Sequence, residues 1–171
     1  MTSVNIKYWL GFILSILLQV TLFKDIALFN YGFCFIYLMY LLGFPIETRP
    51  AFLLIIGFGA GLFVDMFYNT GGIHAFSCVL ILFLRDKWLN LITPQGGYDS
   101  HNNLTVRLAG FGWFAGYAFP LILLHHIVLF FVESYGFSYF WHTLGKSFFS
   151  ACFTFMVIVL VQQLFFSVKR G

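Results

Sequence analysis

The side chains of this sequence that could do chemistry are few, and most are imidazoles or carboxylates. His125 and His126 are adjacent, Glu133 follows seven residues after His126, and Asp65 precedes His74 by nine. Histidine and carboxylate together can ligate a metal, and either can carry a proton. A membrane di-iron enzyme, however, needs several histidine clusters, and no such set is present. Cys34, Cys78 and Cys152 all lie in apolar runs and show no Cys-x-x-Cys spacing, so they read as buried small hydrophobes. Ser77 and Ser150 also lie in apolar runs, without a nucleophile motif or an evident base. The expectation is a non-enzymatic protein with no catalytic residue, metal or cofactor. A proton relay or small-molecule channel through Asp65 stays open.

What must position these groups follows from composition. Of 171 residues 61% are hydrophobic and only 9% charged, with a mean hydropathy of +0.92. Soluble domains carry roughly a quarter charged residues, so the solvent here is lipid. Aromatics reach 22%, led by 25 Phe, as suits lipid-facing surface and interfacial belts. The net charge of +3 is scattered rather than patched, which excludes nucleic acid as a partner.

The reading is a single all-α polytopic membrane domain over 1–171, with six transmembrane helices at about 8–23, 31–46, 51–68, 72–84, 108–132 and 146–167. An extension of the fourth along the interface through "WLNLI" stays open. The third and fourth spans are tied by "NTGG" and should form a tight hairpin. With the N-terminus inside, Lys7, Arg49, Arg85, Lys87, Arg107, Lys169 and Arg170 lie on the inner side, against Lys24 and Lys146 outside. That seven-to-two split predicts both termini in the cytoplasm. The first span lacks a small-residue cleavage site and is taken as a retained helix.

In this frame Asp65 lies fourteen residues into the third span, roughly 20 Å up and in the outer part of the bilayer. A charge at the bilayer centre costs roughly 3 kcal/mol, so a partner is expected. Gly57, Gly61 and Asp65 are four apart and share a helix face, which lets another helix approach. The partner should be a backbone amide of the "NTGG" turn, or a side chain such as His74 or His126. The other reading has Asp65 reaching outer-side water or capping that turn.

In the fifth span Gly112, Gly116 and Pro120 form a stripe, with His126 and Glu133 near the same face and His125 about 100° from His126. Asp65, His74, His125, His126 and Glu133 would then form one outer-side polar cluster. The glycine faces suit contacts with another protein, and equally packing within one monomer.

The stretch "GLFVDMFYNTGGIHAFSCVLILFLR" resembles the signature hairpin of the rod shape-determining protein MreD family. Gly61, Leu62, Asp65, Gly72 and Ala75 match its pattern. "FLRDKWLNLITPQGGYD" and "LHHIVLFFVE" are similar to members from Bacteroidetes-type bacteria. The resemblance covers most of the chain, but only the hairpin is specific. It implies a scaffold of the cell-elongation machinery in the bacterial inner membrane. Such a scaffold binds a bitopic MreC-like protein and links MreB filaments to RodA and a penicillin-binding transpeptidase, helping to control cell shape and peptidoglycan synthesis. It also implies a fold resembling the S-components of energy-coupling-factor transporters. The alternative function is therefore S-component-like uptake of a small molecule.

Overall fold

The computed structural model describes residues 6–29, 31–92, 104–134, 136–137 and 139–165. The cytoplasmic placement expected for Tyr98, Lys169 and Arg170 falls outside these residues. Helix α1 (Ile6–Leu18) runs on into a π-helical turn at Gln19–Phe23. Strands β1 (Ala27–Leu28) and β2 (Gly32–Phe33) make a two-residue antiparallel ribbon, with Ala27 opposite Phe33. Then come α2 (Leu38–Leu42), α3 (Pro50–Tyr68), α4 (Ile73–Ile92), α5 (Val106–Ala109), α6 (Phe111–Glu133) and α7 (Phe140–Phe165). Among the described residues four helices are long and apolar enough to cross a bilayer: Ile6–Phe23, Pro50–Tyr68, Phe111–Glu133 and Phe140–Phe165. Helix α4 is of similar length, 20 residues, but carries Arg85, Asp86 and Lys87 in its second half.

Element ends differ from the sequence reading for local reasons. Pro50 at the first turn starts α3, where its missing N–H costs nothing. Asn69, left-handed at φ 58°, ends it. Gly110, at φ +83°, separates α5 from α6 inside the single helix expected at 108–132. Helix α7 starts six residues before the expected 146, so Phe140–Thr143 are helical rather than loop.

The largest correction is the expected second helix at 31–46. Only Leu38–Leu42 are helical there, and the rest is a strand and turns. Extended backbone leaves N–H and C=O groups open, and at membrane depth these are tolerated only where protein covers them. Coverage is near total: Cys34, Tyr37, Leu38, Leu41 and Phe44 are each 0% exposed.

The first half of the segment uses side chains as its ladder partners. Phe33 N–H donates to Ser150 Oγ (3.0 Å), and Phe35 N–H to Thr154 Oγ1 (3.1 Å). The Thr154 hydroxyl donates back to Phe33 C=O (3.2 Å). Ser150 and Thr154 are one helical turn apart on α7, so their hydroxyls mimic a neighbouring strand. Gln19, turned inward at the start of the π turn, accepts from Ile36 N–H (2.9 Å) and donates to Cys34 C=O (3.0 Å).

At the other end Tyr117 Oη donates to Leu42 C=O (2.8 Å), and Leu104 N–H donates to Gly43 C=O (3.0 Å). Arg85 Nη2 donates to Phe44 C=O and to Pro45 C=O (3.3 Å). The guanidinium is fully buried, with Nε donating to Tyr117 Oη (2.8 Å) and Nη1 lying 3.6 Å from Asp86. Arg85 is thus a buried clasp on the end of the segment, not a loop charge. The start of the segment lies against α7, where Tyr31 Oη donates to His142 C=O (2.8 Å); near the other end of α7 Gln162 accepts from Val106 N–H of α5 (2.8 Å).

Candidate functional site

Helices α3 and α4 meet in a hairpin built on a close approach. A Cβ added to Gly61 would lie 2.5 Å from Ala75 Cα and 2.6 Å from Ala75 N. Only glycine lets the first turn of α4 sit against α3 there. One turn along α3, Asp65 occupies the space this contact creates. Its Oδ1 accepts from Thr70 Oγ1 (2.6 Å), His74 N–H (3.0 Å) and the His74 ring at Nδ1 (3.1 Å). Its Oδ2 accepts from Ala75 N–H (2.9 Å).

The amides of His74 and Ala75 belong to the first turn of α4, which has no intrahelical acceptor for them. Asp65 caps α4 from across the hairpin, and its negative charge suits the positive end of that helix. Because the carboxylate has no proton to give, His74 carries its own on Nδ1. Gly72, at φ +100°, makes the turn that brings α4 back. Gly57 sits on the same face, with Leu82 Cδ1 2.3 Å from an added Cβ, a contact a flexible side chain can relieve.

The histidines converge on a ring. Phe35, from the buried segment, lies 5.3 Å from the His74 ring, 5.6 Å from His125 and 5.1 Å from His126. His125 Nε2 meets Tyr37 Oη at 3.1 Å. His126 Nδ1 donates to Ile122 C=O (2.8 Å), and its Nε2 faces Thr154 Oγ1 at 3.1 Å. Asp65 bonds His74 and not His126. All three imidazoles are at most 1% exposed. Among the described residues, no three His, Cys, Asp or Glu side chains are placed to hold a metal ion. The arrangement is buried and ties the segment, α3, α4, α6 and α7 together.

One member of the expected cluster, Glu133, lies elsewhere, and so does the glycine stripe of the fifth span. Glu133 is half-exposed and pairs with Lys146 at 3.6 Å. Gly112 and Gly116 face outward, and an added Cβ at either would meet nothing within 4 Å. They are not close helix contacts within this chain. At about 100° per residue Gly116 and Pro120 lie roughly 80–120° around the helix from His126, whereas Glu133 lies within about 20° of His126 but about 10 Å further along, at the helix end.

Sequence reasoning missed Gln19, Thr154, Arg85 and Tyr117, and read Ser150 only as an unsupported nucleophile. Their signal was present as polar residues inside apolar runs, with Ser150 and Thr154 at helical spacing.

The cap makes a testable distinction. Asp65→Leu leaves the His74 and Ala75 amides without acceptors, a loss of about 3 kcal/mol or more. Asp65→Asn keeps one oxygen but turns an NH2 toward an amide, costing about 1–2 kcal/mol. Thermal unfolding in detergent should rank Leu below Asn below wild type. Equal midpoints for all three would remove the cap from the account. The chain matches no protein-family model, no curated protein and no solved structure.

Proposed function

We propose that this chain is a non-enzymatic scaffold of the bacterial cell-elongation machinery in the inner membrane, as its MreD-like hairpin implies. In this reading both termini are cytoplasmic. The chain crosses six times, the second crossing being the buried β2–α2 segment rather than a helix. The partner is an MreC-like bitopic protein, met helix to helix, with MreB, RodA and a penicillin-binding transpeptidase further out.

The observation that carries the reading is how the ionisable core is used. Both Asp65 oxygens cap α4, and Phe35 stands among the three histidines, so these groups act as structural supports. Gly112 and Gly116 meanwhile lie on the outside of α6, where a small-residue face admits a partner helix.

Gly116→Leu tests this directly. An added Cβ there meets nothing within 4 Å among the described residues, and leucine is the better helix former by up to about 1 kcal/mol, so thermal stability should equal or slightly exceed wild type. Co-purification of the MreC-like protein from native membranes should fall several-fold. Undiminished capture would exclude this face as the contact. One observation favours the uptake alternative, a cleft between the end of α6 and the start of α7. Recovery of an ATPase module in the same purification would establish that reading instead.

A further inference from the structure

The cleft has a volume of about 470 Å³, the size of a small-ligand site. Its walls include Phe130, Tyr139, His142 and Thr143, and its Lys and Glu side chains among the described residues are Lys146 and Glu133. The Lys146 ammonium is fixed in place over two rings, 4.1 Å from the Phe130 centroid and 4.7 Å from that of Phe33. Its separation from Glu133, 3.6 Å, is longer than the roughly 2.8 Å of a closed charge-assisted hydrogen bond. Both side chains keep access to the cleft, at 24% and 46% exposure.

Chemistry narrows the occupant. An anion alone would meet Lys146 but be repelled by Glu133, and a cation alone would meet the reverse. A group carrying both charges satisfies the two at once. A primary ammonium can donate hydrogen bonds to Glu133, which a quaternary ammonium cannot. The mouth lies where two membrane-length helices end, beside exposed Phe137, Tyr139 and Trp141. Aromatic side chains so placed mark the headgroup level of a bilayer.

We infer that the cleft between α6 and α7 binds a phosphoethanolamine group, its phosphate on Lys146 and its ammonium on Glu133. The group can be the headgroup of a bilayer lipid or the free zwitterion, and the two sources are separable. The site acts independently of any protein partner.

The test uses the full chain in nanodiscs of phosphatidylglycerol containing equal fractions of phosphatidylethanolamine and phosphatidylcholine. Lipid retained after ejection is read by native mass spectrometry. One phosphatidylethanolamine per chain is expected, held about tenfold less in Glu133→Gln and in Lys146→Gln and unchanged in Lys24→Gln. Glu133→Lys should exchange the preference for phosphatidylglycerol. All variants should elute as wild type does, since the altered side chains are partly exposed. Added O-phosphoethanolamine that displaces the lipid identifies the free zwitterion as ligand; failure to displace it identifies the lipid. Equal retention in wild type and both Gln variants overturns the proposal. So does phosphatidylglycerol or phosphatidylcholine held as tightly as phosphatidylethanolamine by the wild type.

Discussion

Gly61→Ala should remove most of the folded protein from the membrane, while Gly59→Ala, two residues away on the same helix, should be neutral or slightly stabilising. The substitution is identical and the intrinsic helix preference favours alanine at both sites by up to about 1 kcal/mol. Space decides the outcome. At Gly59 a Cβ meets nothing within 4 Å, whereas at Gly61 it lies 2.5–2.7 Å from backbone atoms of Ala75 and His74. Backbone cannot rotate aside as a side chain can, so the first turn of α4 must move away. That movement also stretches the bonds from His74 and Ala75 to Asp65. Overpacking costs about 1–3 kcal/mol, and the weakened cap adds a similar amount. Against a total stability of roughly 5–15 kcal/mol, this loss is large. Because the two effects share one contact, Gly61→Ala combined with Asp65→Leu should be less harmful than the sum of the singles. Unfolding midpoints in detergent for the three variants check this, and strict additivity would uncouple the glycine from the cap.

Arg85→Met should be comparably damaging, through a different route. Methionine fills much of the volume, so the loss is one of hydrogen bonds. The carbonyls of Phe44 and Pro45 lose their donor in a dry site, and Tyr117 loses one of its partners. Each stranded buried acceptor costs about 1–3 kcal/mol, which places the total at about 3–5 kcal/mol. Arg85→Lys keeps the charge but not the planar fork that serves Nε and Nη2 contacts together, so it should rescue only part. Tyr117→Phe should be mildest, since Arg85 still holds two of the carbonyls. The expected order of midpoints is Met below Lys below Phe. A lysine variant as stable as wild type would show that charge alone, without the fork, is sufficient.

The long apolar helices and the hairpin were legible in sequence because both follow from local patterns. Apolar runs set the helices, and glycine spacing with the "NTGG" turn set the hairpin. The segment at 31–46 was not legible, because its conformation is decided by distant side chains. An apolar run bounded by Gly32 and Gly43 fits a buried helix or a buried strand equally well. The partners that choose between them are Gln19, Ser150, Thr154, Tyr117 and Arg85, spread over the whole chain. Asp65 was readable as an inward carboxylate, but its role as a cap for the next helix depends on the Gly61 contact in three dimensions. Helical angle alone groups Glu133 with the histidines and ignores the rise of about 10 Å that carries it to the helix end.

The reliance of β2 on Ser150 and Thr154 also sets an order of events during synthesis. Phe33 and its hydroxyl partner on Ser150 are 117 residues apart. At roughly 5–20 residues per second, the segment waits on the order of ten seconds before that partner exists. During this interval an extended segment cannot be released into lipid, because its backbone groups would be open. Until α7 emerges, residues 31–46 must therefore be either sheltered from lipid or helical, and the final fold requires them to leave that state. A chain stopped before Ser150 would remain a client of the insertion machinery and its proteases, however complete its earlier helices.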